Sequence, residues 1–600
     1  MNYFRGRVIP KFIGSLKNLR YLNLSGSGFG GRVPHELGNL STLSYLDLNP
    51  YRVIRSNTND GTNVPMYDLH VDRLDWLSGL SSLQYLDMGV VNLNTAADWL
   101  LSINMLPSIL NLHLSSSQLP NISTSLPHVN LTSLSTLDLS GNRLGPQIPT
   151  WVFNNSRLVS LDLGFNDFSY PIPTAMGNLC NLQTLNLQLN HFNGEINKFE
   201  ESFKGCIKRD LKSLNTLILD NNGLSGGIPS SISHLSQLTS LHLKNNKLSG
   251  ELPSSMMNCT GLKTLDLGEN GFSGKIPKWI GERLSFLKFL ILRSNKFHGG
   301  LPPHLSLLDE LQVLDLSQNN LSGTIPESFG NFSAMRVANM TNVIIYSGGR
   351  LSGVESIWVF WKGFLYEYSR TLSLVININL SGNDLHGEIP KEITHLVGLQ
   401  SLNLSRNRLI GTIPEDINDL QRIESLDLSW NQLSGAIPHS FSYLTFLSHL
   451  NLSHNNFSGR IPSSNQLDTI NDSSIYMGNP LLCGPPLLNQ CPRVPNSQSL
   501  FDGDKEAKDE LEIQLFFISM GPGFVVGFWV VCGILLFKRS WRVAYYNFFD
   551  DMGDRLYVAV ARRLAKFKKN KGLQGNRGLP SSTPKHVLHP RALPGHKSSL

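Results

Sequence analysis

Residues 134–157 read LSTLDLSGNRLGPQIPTWVFNNSR, and residues 158–181 read LVSLDLGFNDFSYPIPTAMGNLCN. The same beat restarts at Leu214, Leu238, Leu262, Leu287 and Leu311, and again at Val375, Leu399, Ile423 and Leu447. Its template is LxxLxLxxNxLxGxIPxxxxxLxx. The LxL pair alternates with other residues, which is the period of a short strand. In Leu241-His242-Leu243-Lys244 the leucines point to a core while His242 and Lys244 point out. The Asn that follows (Asn142, Asn246, Asn270, Asn295, Asn319, Asn407, Asn431) falls at the turn leaving the strand. A buried amide there both donates to and accepts from neighbouring backbones, so stacked Asn residues form a ladder. The LSGxIP segment supplies Gly and Pro for a tighter stretch on the far side.

One such repeat cannot bury its leucines alone; stacked repeats bury a continuous core. This is leucine-rich-repeat spacing. The expected fold is an α/β-type leucine-rich-repeat solenoid, with a parallel sheet on the concave face and 3-10 or loop segments on the convex side, plus one transmembrane helix. The repeated Leu, Asn, Gly and Pro residues are structural. Function is expected in the outward row, which varies: Asp162, Asn186, Ile218, His242, Asp266, Ile291, Asp315, Asn379, Asn403, Asp427 and Asn451. A varied row on a rigid concave surface suits recognition of a protein, peptide or glycan. His242, Lys244, Ile291 and Arg293 are the candidate contacts on the strands.

The beat stops after Ala334. Residues 335–374, MRVANMTNVIIYSGGRLSGVESIWVFWKGFLYEYSRTLSL, lack the register and are rich in aromatics. Residues 357–368 read as a strand or an irregular hairpin. Two roles are open: aromatics packed against the solenoid side, or a recognition island over the concave face. Aromatics beside a Lys are common at interfaces, which makes Trp358, Trp361, Lys362 and Tyr368 candidates. A second irregular stretch, residues 49–79, is polar and loop-like.

The organisation expected is residues 1–334 as solenoid with a loop-out near 49–79, 335–374 as island, 375–470 as four further repeats, 471–514 as cap and acidic juxtamembrane segment, 515–537 as transmembrane helix, and 538–600 as a short basic tail. Residues 515–537, LFFISMGPGFVVGFWVVCGILLF, carry no charge. At roughly 1.5 Å per residue they cross a roughly 30 Å hydrocarbon layer. Acidic residues precede the span, and Lys538, Arg539 and Arg542 follow it, so the repeats are expected outside and the C-terminus in the cytosol. Residues 538–600 hold 14 Lys and Arg against 3 acids, so the chain's net charge of +6 belongs to this tail. Such a tail suits anionic lipid rather than nucleic acid.

Among 6 cysteines, Cys483 and Cys491 lie just past the last repeat, where a short bridge would staple the solenoid's end in an oxidising compartment. Cys180 and Cys206 fall near adjacent repeats, where a pairing is open. Cys259 has no obvious partner, and Cys532 sits in the span. Of 14 N-x-S/T sequons, many arise from the NLS of the template itself; Asn39, Asn154, Asn258 and Asn331 lie away from the strands and read as the better glycosylation acceptors. The start of the chain has no apolar signal region, and residues 4–18 read as the second half of a repeat, the pattern of a fragment.

The LSGxIP repeats, the island with VFWKGFLYEYS at 359–369, four repeats after it, the NPLLCGPPLLNQC cap, the acidic run, the span and the basic tail together resemble the plant leucine-rich-repeat receptor-like proteins. DRLDWLSGLSSL at 72–83 and TAADWLLSINMLP at 95–107 resemble the subgroup of receptors for fungal ethylene-inducing xylanase. The resemblance implies a cell-surface immune receptor without a kinase domain. It implies an extracellular protein or peptide ligand, and a co-receptor kinase ectodomain recruited with help from the island and the last four repeats. An adaptor receptor-like kinase would be held through the membrane helix. Ser519, Gly523 and Gly527 form a small-xxx-small row that allows close helix approach. Tyr545 and Tyr557 fit YxxΦ endocytosis signals, as in xylanase-receptor relatives. The signal peptide and N-terminal cap of the family pattern are absent. A developmental co-receptor of the same architecture and a truncated, non-functional paralogue are the alternatives.

Competing functions have less support. Residues 557–562, YVAVAR, echo a kinase strand but bring no glycine-rich loop, HRD or DFG, and the tail is too short for a kinase. No motif fixes a nucleophile, base, metal set or cofactor, so the expectation is a non-enzyme. A soluble inhibitor built on the same repeats conflicts with the span.

Overall fold

The computed structural model describes residues 4, 6–50, 68–120, 128–198, 214–337, 356–369, 371–464, 466–470 and 472–491. Sixteen strands of three residues each, from Tyr21–Asn23 to His449–Asn451, form one parallel sheet in chain order. Register is fixed by the leucines: Leu241 stands beside Leu265, and Leu265 beside Leu290. A nine-stranded parallel sheet, from Ser169–Pro171 to Arg408–Leu409, is built from the LSG segments. The IP step then starts a one-turn 3-10 helix. At Ser254–Asn258 the extended Pro253 precedes it. Gly250, in the LSG turn, has φ +87° with open space around it, so glycine is needed there for conformation, not room. The leucines, with Phe168, Phe192, Phe272 and Phe297 behind them, form one buried core running from Ile9 to Leu482.

The Asn ladder is present. Asn246 Nδ2 donates to the carbonyls of Leu219 (3.0 Å) and Leu243 (3.1 Å), while its Oδ1 accepts from Leu224 N–H (3.1 Å). Each amide thus ties two repeats together and satisfies backbone groups that the tight turn would otherwise leave buried and unpaired.

The interruption does not break the stack. Val313 stands beside Asn377 and Leu314 beside Ile378, as if the intervening residues were absent. The ladder continues across the junction, with Asn383 Nδ2 on Leu316 O and its Oδ1 on Leu321 N–H, both at 3.0 Å. Both irregular stretches are narrower than the sequence suggested. Leu69–His70 is a strand and Asp75–Gly79 a 3-10 helix with Trp76 and Leu77 buried, so residues 69–79 complete an ordinary repeat. Met335 is fully buried in the solenoid core at the near edge of the island.

Past the last repeat, Asn479 repeats the ladder bonds, to Leu452 O and from Phe457 N–H. Leu481–Cys483 adds a strand beside Asn456–Arg460, and Cys483 is disulfide-bonded to Cys491. Cys180 is also disulfide-bonded, and Cys259 is a buried free thiol. Cys206 and Cys532 lie outside the described residues. Among the described residues no helix is long and apolar enough to cross a membrane. The 515–537 span, with Ser519, Gly523 and Gly527, and the tail with Tyr545 and Tyr557 lie outside them.

Candidate functional site: a walled groove on the concave face

The island residues form a regular antiparallel hairpin, not the irregular one expected. Ile357–Trp361 pairs with Phe364–Tyr368 from Ile357↔Tyr368 to Trp361↔Phe364. Lys362 (φ 50°) and Gly363 (φ 83°) make the two-residue turn, both left-handed, the geometry that matches strand twist in a tight hairpin. Alternation sends Ile357, Val359 and Trp361 to one face. That face is buried against Phe289, Ile291, Val313, Leu372 and Val375, with Tyr368 packed alongside. Burying each such side chain contributes about 1.5–3 kcal/mol. Of the two roles left open by the sequence, packing on the solenoid is what these contacts show, through Trp361 and Tyr368.

Polar contacts hold the hairpin at three points. At its start, Arg293 Nη1 donates to the Trp358 carbonyl at 2.8 Å and Nη2 to Glu269 at 3.1 Å, with Asp315 3.6 Å from Nη1. Lys244 Nζ lies 3.3 Å from Glu269 and 5.0 Å from the centre of the Trp358 ring, a cation–π contact. In the middle, Asn377 Nδ2 donates to Phe360 O at 3.0 Å. At the turn, Lys362 Nζ meets Glu424 at 2.8 Å, and Gly363 sits over the His449 ring. Burial works against the Arg293 charge, but Asp315, Asp266 and Glu269 offset it and raise its pKa; burial pushes the Asp315 carboxyl up while Arg293 pulls it down.

The hairpin therefore stands as a wall along one side of the concave face. Beside it runs a cleft of about 460 Å³. Its floor is the outward row from Asp315 to Asn451, each residue bonded to a hydroxyl such as Ser405 Oγ on Asn403 (2.7 Å) or Ser429 Oγ on Asp427 (2.6 Å). Phe360 and Leu365 line the wall side, and Gln318, Arg406 and Trp430 the opposite rim. Arg406 lies 5.5 Å over the Trp430 ring, which stacks on His454 at 3.9 Å and is 49% exposed. A larger hollow of about 880 Å³ lies among the Pro326, Pro390 and Pro414 turns, but no buried charges or aromatics converge on it. The walled cleft is the better site on its chemistry.

The predicted contact residues are brought together, but not as a solvent-facing row. His242, Lys244, Ile291 and Arg293 are all buried, Ile291 completely. His242 makes a 2.8 Å hydrogen bond between Nε2 and Ser240 Oγ, and its Nδ1 is 3.8 Å from Asp220. The reason is spacing: parallel strands about 4.8 Å apart stack each outward side chain against its equivalents one repeat away. Trp358 stays partly exposed, whereas Trp361 is buried and Lys362 ion-paired. The sequence reading missed the residue just before the ladder Asn. At Glu269, Ser294, Gln318, Arg406, Trp430 and His454 it has a left-handed backbone and forms the rim. Its fixed place in the template was the available signal. Asn39, Asn154, Asn258 and Asn331 each end a 3-10 helix and are exposed, whereas the strand sequons Asn379 and Asn403 are buried.

Residues 212–272 match the leucine rich repeat family, and further matches to single repeats fall at 18–40, 133–155, 310–332, 398–420, 422–444 and 446–467. The chain is 54% identical over 227 residues to receptor-like protein EIX2 of Solanum lycopersicum, covering 37% of this chain and 22% of that protein. It is 39% identical over 158 residues to receptor-like protein EIX1 of the same plant, covering 26% and 14%. The matched segments thus span about a fifth or less of those relatives. The structure resembles the crystal structure of the Arabidopsis receptor kinase HAESA in complex with the peptide hormone IDA and the co-receptor SERK1. There the TM-score is 0.53 and the identity 26%, over 80% of this chain and 76% of that one. Fold and repeats make this a leucine-rich-repeat solenoid of the plant receptor ectodomain type. In sequence the chain is similar to plant leucine-rich-repeat receptor-like proteins, the EIX pair among them.

Proposed function

We propose that this chain is a kinase-less cell-surface receptor that takes a segment of an extracellular protein or peptide into the walled groove. A microbial protein elicitor, with fungal xylanase the first to try, is the ligand class the resemblance favours. The reading rests on one observation above the rest: the island hairpin is clamped to the concave face and leaves beside it a polar-floored cleft with aromatic and cationic edges. Rigid elements holding a few convergent polar groups are what a recognition site requires. In this reading the protein acts by binding. In this proposal residues 515–537 anchor it in the plasma membrane with the repeats outside. Ser519, Gly523 and Gly527 pair with an adaptor kinase, and a co-receptor kinase meets the island and last four repeats. Signalling is then the partners' work. Asn39, Asn154, Asn258 and Asn331 carry glycans on the convex side, clear of the groove.

The test is capture of labelled fungal xylanase by the full chain on leaf-cell membranes. Gln318→Trp with Arg406→Glu, both exposed rim positions, should cut capture at least tenfold, while Ser328→Trp on the flank should leave it unchanged. Equal capture by both variants overturns the groove as the site.

A further inference from the structure

We propose that the turn end of the island hairpin is a proton-operated gate on the groove, loosening as the medium turns acidic while the Trp358 end stays fixed. The consequence for ligands rests on the reading of the groove given above; the gate itself does not. The two ends of the wall are anchored by different chemistry. At the Trp358 end, Arg293 and Asp315 have side chains 7% and 3% exposed, and the guanidinium also holds a backbone carbonyl. At the turn end, Lys362 and Glu424 are 36% and 34% exposed, a pair that solvent screens. Beneath that turn lies a titratable group. A Cβ added at Gly363 would lie 3.5 Å from His449 Cε1, so the turn's backbone covers the imidazole.

The groups around His449 set the direction. Asp427 faces it from the adjoining strand and Lys362 from the hairpin. Glu424, one residue before that strand, holds Lys362, and Tyr368 on the second hairpin strand faces Glu424 in turn. With the turn closed, burial and then Lys362 hold the imidazole below its ordinary 6.5, against the pull of Asp427. With the turn open, the ring is hydrated and Lys362 has moved away, so His449 titrates nearer its ordinary value. The open state therefore binds more protons. Closure is complete above about pH 6.5 and is lost as pH falls. The open-to-closed ratio rises by up to about tenfold per pH unit until the covered imidazole itself titrates. Protonation places a cation beside Lys362 under a covering backbone, and opening relieves both the repulsion and the desolvation.

Hydrogen exchange of the full chain in detergent micelles, corrected for intrinsic rates, reads this without any ligand. Between pH 7.5 and 5.5 the amides of residues 360–364 should lose three- to tenfold or more of their protection, while those near Ile357 and Tyr368 keep theirs. His449→Gln should hold the turn closed at both pH values; His449→Phe serves if Gln disturbs packing. Glu424→Gln should loosen the turn at pH 7.5. Unchanged protection of the turn in the native chain, pH dependence surviving in both His449 variants, or full protection in Glu424→Gln would each overturn the gate. A groove that captures no xylanase leaves these results intact, so the two readings fail separately.

Discussion

The concave face has an uncovered half and a walled half, built on the same strands. The position that separates them is the first residue of each strand. From Tyr21 it runs through Tyr45 and Tyr85, whose rings stack on one another at 4.3 and 4.2 Å. After Asn111 it continues through Thr136, Ser160, Thr184, Thr216, Ser240 and Thr264, which are small and hydroxylic. At Phe289 and Val313 it turns apolar, and there the hairpin packs. The backbone is unchanged across this boundary. Along one column of side chains the face changes from stacked tyrosines, through small hydroxylic residues, to the apolar pair on which the hairpin packs.

The largest test of that contrast is Arg293→Ala. It leaves Asp315 and Glu269 without their guanidinium and removes the bond to Trp358 O. Breaking a buried pair by removing one partner costs about 3–5 kcal/mol. Limited proteolysis should cut the island readily, and the thermal midpoint should fall. Arg406→Ala, a cation on the exposed rim, should change neither. Comparable behaviour of the two variants would mean that the wall does not depend on its buried anchor.

Phe289→Ser tests the apolar column by making the walled half resemble the bare one. It removes a floor residue that is 5% exposed beneath Ile357, Val359 and Trp361. The expected cost is about 2–4 kcal/mol, confined to the hairpin because the solenoid core is a separate cluster. Hydrogen exchange should show the island released and the ladder amides still protected. Release of both would show that the two clusters fold as one.

A smaller effect compares the junction with the regular stack. Asn383→Ala and Asn246→Ala each strip one rung, leaving buried carbonyls without a donor, at about 1–3 kcal/mol. The island is looped out, not inserted into the stack, so the two costs should match in denaturant titrations. A much cheaper Asn383→Ala would mean that the stack is already weak at the junction.

Much of this was legible in the sequence. LxxLxLxxN gave strand, core and ladder because each residue type answers a local need that recurs every repeat. Packing of the aromatic island on the solenoid was one of the two readings open in the sequence, and Trp358, Trp361 and Lys362 do contact the solenoid. What could not be read was burial in the outward row. His242 and Ile291 look exposed by period-2 logic, but their cover comes from neighbouring repeats and from the hairpin. Those contacts join residues far apart in the chain: Arg293 meets Trp358, and Lys362 meets Glu424. The rim was missed for a different reason. Arg406 and Trp430 sit at a position the template writes as x, and their shared left-handed backbone is what aligns them.

The smallest prediction separates the halves by pH. In the uncovered half, Asp162 stands between Asp138 and Asn186, and burial, with Asp138 next, pushes its carboxyl up to about 7. Asp220 is pushed to about 7 mainly by burial, against the pull of His242. In the walled half Asp315 has Arg293 as its counter-charge. A carboxyl whose folded pKa lies above its unfolded 3.8 keeps its proton on folding. Its stabilisation is full at low pH and is lost as pH rises from about 4 through about 7. The thermal midpoint should therefore decline between pH 5 and pH 8, on the order of 1 °C per kcal/mol in a domain this large. Asp162→Asn, which cannot ionise, should flatten that decline even if its amide fits less well beside Asn186 at pH 5. The slope is the readout, because a packing defect lowers both ends of the curve while a lost titration removes the difference between them. A slope identical to that of the native chain would mean that Asp162 is already ionised in the fold.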